Sequence, residues 1–173
     1  MSHLRSLSNL DSVVNPPYLG EWVHKVGAYM LNFGAIELIS FQFLNELELT
    51  REDFNRNLEH LLAARIKRIL KLVDASTTIS EPDRTQIRSL WDEARQLSQW
   101  RNKIAHNPVL PAWNPGSDPA NSPPDLLGVP DVRQLRSGNV TDTISLDGMN
   151  KLIDASSDLA QRLLDAARKL TGA

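Results

Sequence analysis

From Leu19 to Leu47, apolar side chains recur near the helical period. One row runs through Leu19, Trp22, Val26, Met30 and Phe33 and resumes at Phe41, Leu44 and Leu47. Leu31, Ile36, Leu38, Ile39 and Phe43 add apolar groups on the other faces. A helix apolar nearly all round belongs at the centre of its fold or is shared with a partner. Asn15-Pro16-Pro17 precedes it and supplies a cap with proline in the first turn.

Three more helical patterns follow, and no strand pattern matches them in strength. The second opens at Thr50-Arg51-Glu52-Asp53, a capping box with Asp in place of Glu or Gln. It is read as one helix through Phe54, Leu58, Leu61, Leu62, Ile66, Ile69, Leu70 and Val73. Ser80 caps the third, which carries acids in its first turn and runs through Ile87, Leu90, Trp91, Ala94, Leu97 and Ile104. It should stop at Asn107, because the residue before Pro108 is pushed out of the α region. Ser145 caps a last helix through Leu146, Met149, Ile153, Ala160, Leu163, Ala167 and Leu170.

Between the last two helices, residues 108–140 carry seven prolines and no periodic pattern. This segment reads as a long loop with room for a short hairpin around Ser137-Gly138-Asn139. The fold class expected is all-α, a four- to five-helix bundle with a long Pro-rich loop before the last helix. A length of 173 residues suits one domain spanning residues 1–173.

Composition narrows the function classes. The chain has no cysteine, which removes disulfides, thiol catalysis and Cys-ligated zinc. Net charge is −2, so the chain is no globally basic nucleic-acid coat. The charge is uneven, however: residues 51–106 hold eleven basic and eight acidic side chains, while both flanking thirds are acidic. The longest uncharged apolar-rich stretch, Val26 to Ile36, is too short for a bilayer, and the first residues lack a secretory apolar core. A cytoplasmic protein without membrane contact is expected.

Two apolar rows are interrupted by opposite charges. The row Ile87, Leu90, Ala94, Leu97 lands next on Arg101 before Ile104. In the first helix, the row through Phe33 lands on Glu37. An unpaired guanidinium in a core-facing phase is expensive, so Arg101 needs an anion, a wet cleft or a ligand. A Glu37–Arg101 pair is the natural expectation, whether as a structural ion pair or as part of a site. Beside it, Trp100-Arg101-Asn102-Lys103-Ile104-Ala105-His106 brings an amide and an imidazole, whose class titrates near neutrality, within a turn and a half of a permanent cation. Asn102 and His106, four apart, share a helix face, whereas positions 101 and 106 diverge by roughly 140°. Both reach one phosphate only at a groove edge or with a second copy of the chain.

Arg101-Asn102, three residues and then His106 resembles the arginine, polar residue and histidine signature of HEPN domains. The order of helices, over most of the chain, suits that family too. The resemblance implies a helical bundle that acts as a metal-independent endoribonuclease, working as a homodimer with facing motifs and releasing a 2′,3′-cyclic phosphate. It also implies an alternative, since other members are catalytically silent modules binding nucleotide, RNA or protein. Family analogy adds a toxin–antitoxin or antiviral setting, with an antitoxin or regulatory partner. A third reading is a purely structural helical dimer.

The residue types suit the chemistry. The ribose 2′-OH is itself the nucleophile, so the protein supplies proton transfer through His106 and a phosphate clamp through Arg101, with Asn102 orienting either. Glu37 supports Arg101. Lys103, Arg65, Arg68 and Trp100 are candidate RNA contacts, although a basic run is usually a solvated helix face. No metal or other cofactor is expected: His3, His24, His60 and His106 lack ligand spacing, and no Gly-rich phosphate loop is present.

Overall fold

The computed structural model describes residues 19–48, 50–58, 61–106, 110–112, 126–129 and 142–171. Among them are five helices: α1 (Leu19–Leu47), α2 (Arg51–Leu58), α3 (Leu62–Ala75), α4 (Glu81–His106) and α5 (Leu146–Thr171). The expected all-α bundle is the architecture found. α1 touches each of the other four helices and packs most extensively against α5. Its centrality accounts for the apolar groups on the faces turned to the other helices, whereas Val23, Leu31 and Leu38 stay exposed, and the expected cap at Asn15-Pro16-Pro17 lies outside the described residues.

Local chemistry sets the helix starts. The Asp53 backbone N–H donates to Thr50 Oγ1 at 3.1 Å, while the Thr50 hydroxyl donates to the Asp53 carboxylate at 2.7 Å. The shorter Asp thus takes the hydroxyl instead of closing a full capping box. The Asp83 N–H donates to Ser80 Oγ at 3.3 Å, and the Gly148 N–H to Ser145 Oγ at 3.0 Å. At Gly148 a Cβ would stand 2.9 Å from Ile144 Cγ1, so the start of α5 needs the missing side chain.

One expected helix divides in two. Leu61 has extended backbone, φ −62° and ψ 155°, and separates α2 from α3. The residues before it, Asn55-Arg56-Asn57 and His60, include several poor helix formers, which lowers the cost of a break there. Leu61 consequently leaves the apolar row and stands 83% exposed.

The Pro-rich region also differs from a bare loop. Three short strands, β1 (Leu110–Ala112), β2 (Leu126–Val129) and β3 (Asp142–Ser145), form an antiparallel sheet in the order β1-β2-β3. Leu110 pairs with Gly128, and Leu127 pairs with Ile144. Strands of three or four residues containing proline or glycine are too short to show a period of two, and Pro111 is tolerated because β1 is an edge. The expected hairpin tip at Ser137-Gly138-Asn139 lies outside the described residues, between two strands that pair antiparallel.

Two apolar clusters hold the helices. The larger joins Phe33, Ile36, Phe43 and Leu44 of α1 to α3, α4 and α5, with Trp91 fully buried and edge-on to Phe43 at 5.2 Å between ring centres. The smaller gathers Trp22 and Tyr29 of α1 with Ile104, Ile144 and Met149. Ile144 thereby ties the sheet to the end of α4. Polar links brace the same contacts: Asn32 Nδ2 donates to the Ile153 carbonyl at 3.1 Å, and Arg162 reaches Glu93 at 2.8 Å. No helix among the described residues is long and apolar enough to cross a membrane.

Candidate active site

The last two turns of α4 present two unlike faces. On one, Ile104 is buried in the smaller cluster, Trp100 packs against it, and Lys103 Nζ lies 5.0 Å from the Trp100 ring centre. On the other, Arg101, Asn102 and His106 line a cleft of about 370 Å³ between α1, α3 and α4. Arg101 Nη2 stands 3.1 Å from Glu37 Oε1, and Arg101 Nη1 donates to Asn102 Oδ1 at 3.1 Å. The expected pair therefore forms. Its side chains keep 27% and 31% exposure, which makes it the wall of a wet cleft rather than a core ion pair.

The divergence of positions 101 and 106 is accommodated within one chain. Both line the same cleft, because α1 and α3 stand beside α4 and widen the hollow beyond a single helix face. Phe33, Leu62 and Ile66 supply apolar wall, and the exposed Leu61 stands at its margin. Arg65 and Arg95 add two further cations, with Arg95 also 3.0 Å from Asp92. Glu37 is the one carboxylate among the described residues that line the cleft.

Arg65 is buried at 5% exposure. Its Nε donates to Ser40 Oγ at 2.8 Å, and its guanidinium lies 4.1 Å from the Phe41 ring centre. Burial pulls its pKa below the ordinary guanidinium value, and the Glu37 charge opposes that pull. Outside the cleft lining, in the smaller apolar cluster, the Tyr29 phenol donates to the Leu97 carbonyl at 2.6 Å. Burial pushes this phenol up to about 12, while the backbone and charge of Arg101 pull the other way.

Of the residues singled out in the sequence, Arg101, Asn102, His106, Glu37 and Arg65 come together in this cleft. Arg68, Lys103 and Trp100 do not line it. Arg68 is held by Glu48 in two hydrogen bonds of 2.7 and 2.8 Å, and Trp100 and Lys103 stack on each other along the smaller cluster. Tyr29, Arg95 and Ser98 were missed by the sequence reasoning. The signals existed: Tyr29 follows Trp22 by seven residues, and Arg95, Ser98, Asn102 and His106 recur in steps of three and four on one helix face.

A hollow of about 390 Å³ at the other end of the bundle, lined by Glu46, Ser76, Thr77, Thr78 and apolar residues, has no cation among the described residues that line it. Chemistry rather than size thus selects the Arg101 cleft. Among the described residues, no three His, Asp or Glu side chains gather as metal ligands do. An imidazole, three guanidiniums, an amide and a carboxylate suit an anionic substrate and a proton transfer. No protein-family model, curated protein or solved structure matches this chain, which leaves the residues of the cleft to say what chemistry it supports.

Proposed function

We propose that the chain is a HEPN-like, metal-independent endoribonuclease. The observation that carries this reading is the convergence of Arg101, Asn102 and His106, the residues of the signature, with Glu37 in one cationic cleft. In the proposed step, His106 takes the proton of the ribose 2′-OH as that oxygen bonds to phosphorus. The bond from phosphorus to the 5′-oxygen breaks, and the departing oxygen takes a proton from solvent. Arg101 clamps the non-bridging oxygens, where charge builds up. The products are a 2′,3′-cyclic phosphate and a free 5′-OH.

The proposed partners are RNA and a second copy of this chain. Val23, Leu31 and Leu38 of α1 are 67%, 78% and 62% exposed, and Gly27 and Gly34 on the same side face open space. On an ideal helix Glu37 falls at the border between this open stripe and the buried face, so a copy seated there would lie beside the cleft. Light scattering should give twice the 19.4 kDa chain mass at micromolar concentration. A monomer that still cleaves RNA would remove the dimer from the reading. An antitoxin or regulatory partner belongs to the family analogy alone.

The second reading is a silent binding module, favoured by the fact that Arg101 is already engaged by Glu37 and Asn102. Incubating purified chain with mixed RNA in EDTA, beside His106→Ala, separates the two. Cleavage by the wild type alone supports the enzyme. Retention of RNA without cleavage supports the module, and activity restored only by a divalent ion moves the chemistry away from His106.

A further inference from the structure

Among the described residues, Leu61 is the most exposed large apolar side chain, at 83%, and it stands where the backbone leaves the helix. The core does not use it, yet it lines the Arg101 cleft. Residues 76–80 join α3 to α4 by a short connection, so these packed neighbours run antiparallel. Leu61 lies fourteen residues before Ala75, and Arg95 fourteen after Glu81, which brings the two level across the cleft. The Arg95 side chain is 45% exposed, and its contact with Asp92 at 3.0 Å joins two solvated groups on one helix. Water screens such a pair, so exchanging Asp92 for another anion costs little. Arg95 stands about 9 Å along the α4 axis from Arg101, and the small Ser98 lines the cleft between them.

We infer that Leu61 and Arg95 form a second subsite for single-stranded RNA, taking a nucleotide that flanks the one held at Arg101 and His106. A nucleotide presents an apolar base face beside a phosphate charge, and this end of the cleft presents an apolar side chain opposite a cation. Proteins that track a single strand combine those two elements, cations along the backbone and apolar surface under the bases. A span of about 9 Å corresponds to about two or three stacked nucleotides, so Arg95 meets a different phosphate from Arg101. A duplex keeps its base faces inside the stack, which leaves Leu61 nothing to cover and selects the single strand. The inference deepens the ribonuclease reading and rests on its placing of a phosphate at Arg101, but it is tested by binding.

The experiment is a fluorescence-anisotropy titration of the full chain with labelled 2′-O-methyl hexauridylate over a range of salt. The methyl group blocks the 2′ oxygen, so the strand is bound without being cut. Arg95→Gln should bind about tenfold more weakly at low salt and reduce the slope of log Kd against log salt by about 0.7, one phosphate contact. Arg95→Lys should restore the slope, because an ammonium still holds a phosphate. Leu61→Ser should bind about threefold to tenfold more weakly with its slope unchanged, because a base contact carries no charge. Arg88→Gln removes an α4 arginine that pairs with Asp74 outside the cleft, and should alter neither affinity nor slope. All three positions face solvent, so circular dichroism should show the wild-type fold throughout. The inference is overturned by no binding in the wild type, an unchanged slope in Arg95→Gln, unchanged affinity in Leu61→Ser, or an equal loss in Arg88→Gln. Cleavage of ordinary RNA alongside an unchanged Arg95→Gln slope would leave the ribonuclease and remove the subsite. The expected losses without any cleavage would do the reverse.

Discussion

Arg65 and Arg68 stand three residues apart on α3, in a basic run that reads in the sequence as a single solvated face. Arg68 meets Glu48 fork to fork, and this contact raises its pKa, with the Glu48 carboxylate itself almost wholly buried. Arg65 turns into the Arg101 cleft and is braced by a hydroxyl and an aromatic ring, and burial lowers its pKa. What separates them is the neighbour α1 offers: a carboxylate just past its end for Arg68, and Ser40 with Phe41 about two turns earlier for Arg65. A charge run therefore says little about recognition until the partner of each member is known. Arg68 is spent on tying α1 to α3, whereas Arg65 lines the cleft beside Arg101.

The largest expected effect lies in the cleft. His106→Ala should lower RNA cleavage by at least about 10²-fold, the usual contribution of a positioned proton-transfer group. His106 is exposed at the end of α4, so the melting temperature should hardly move. Equal cleavage by variant and wild type would return the cleft to a binding or structural assignment.

On the Arg68 side the expected pattern is the reverse. Glu48→Ala strands a guanidinium and empties a buried carboxylate position, and should cost about 2 kcal/mol in a urea melt. Cleavage at temperatures well below the melt should stay at the wild-type rate. A fall in activity without a fall in stability would show that the two arginines act together after all.

Tyr29, in the smaller apolar cluster, adds a pH handle. Its phenol is held protonated, up to about 12 from an ordinary 10.0. A neutral group favoured by the fold contributes stability that is fully present below about pH 10 and is lost as pH rises towards 12. The loss should be on the order of 2 kcal/mol. Phenolate absorbance should show one of the two tyrosines ionising late or on unfolding, and Tyr29→Phe should abolish that late step. Two tyrosines titrating together near 10 would contradict a buried, hydrogen-bonded phenol.

Much of the bundle was legible in the sequence because long helices repeat their signal. α1, α4 and α5 show apolar steps over twenty residues or more, and their hydroxyl caps at Ser80 and Ser145 are local chemistry. The break at Leu61 was not legible: the apolar steps continue through it, and the interruption is a backbone event among poor helix formers. The sheet was hidden by the brevity of its strands and by the Pro and Gly within them. In the cleft, Glu37 and Arg101 were readable because each stands where an apolar residue was due. Arg65 was readable only as one cation in a run, since its burial depends on which way α3 faces α1. Tyr29 was hidden because a tyrosine in an apolar row violates nothing.

The smallest expected effect concerns the Glu37–Arg101 pair. The sequence alone supports a cost of about 1–3 kcal/mol for Glu37→Gln if the two meet in a partly buried setting. They do meet, at 3.1 Å, but each keeps roughly a third of its side chain in solvent. Water screens such a pair, and Gln can still accept a hydrogen bond from the guanidinium, so the coupling should shrink to about 0.5–1 kcal/mol. Urea melts of Glu37→Gln, Arg101→Ala and the double variant would give the number directly as the departure from additivity. A coupling near zero would mean that the pair contributes nothing to folding. A coupling of about 3 kcal/mol would mean that Arg101 is held as firmly as Arg68, and that its guanidinium belongs to the scaffold rather than to the cleft.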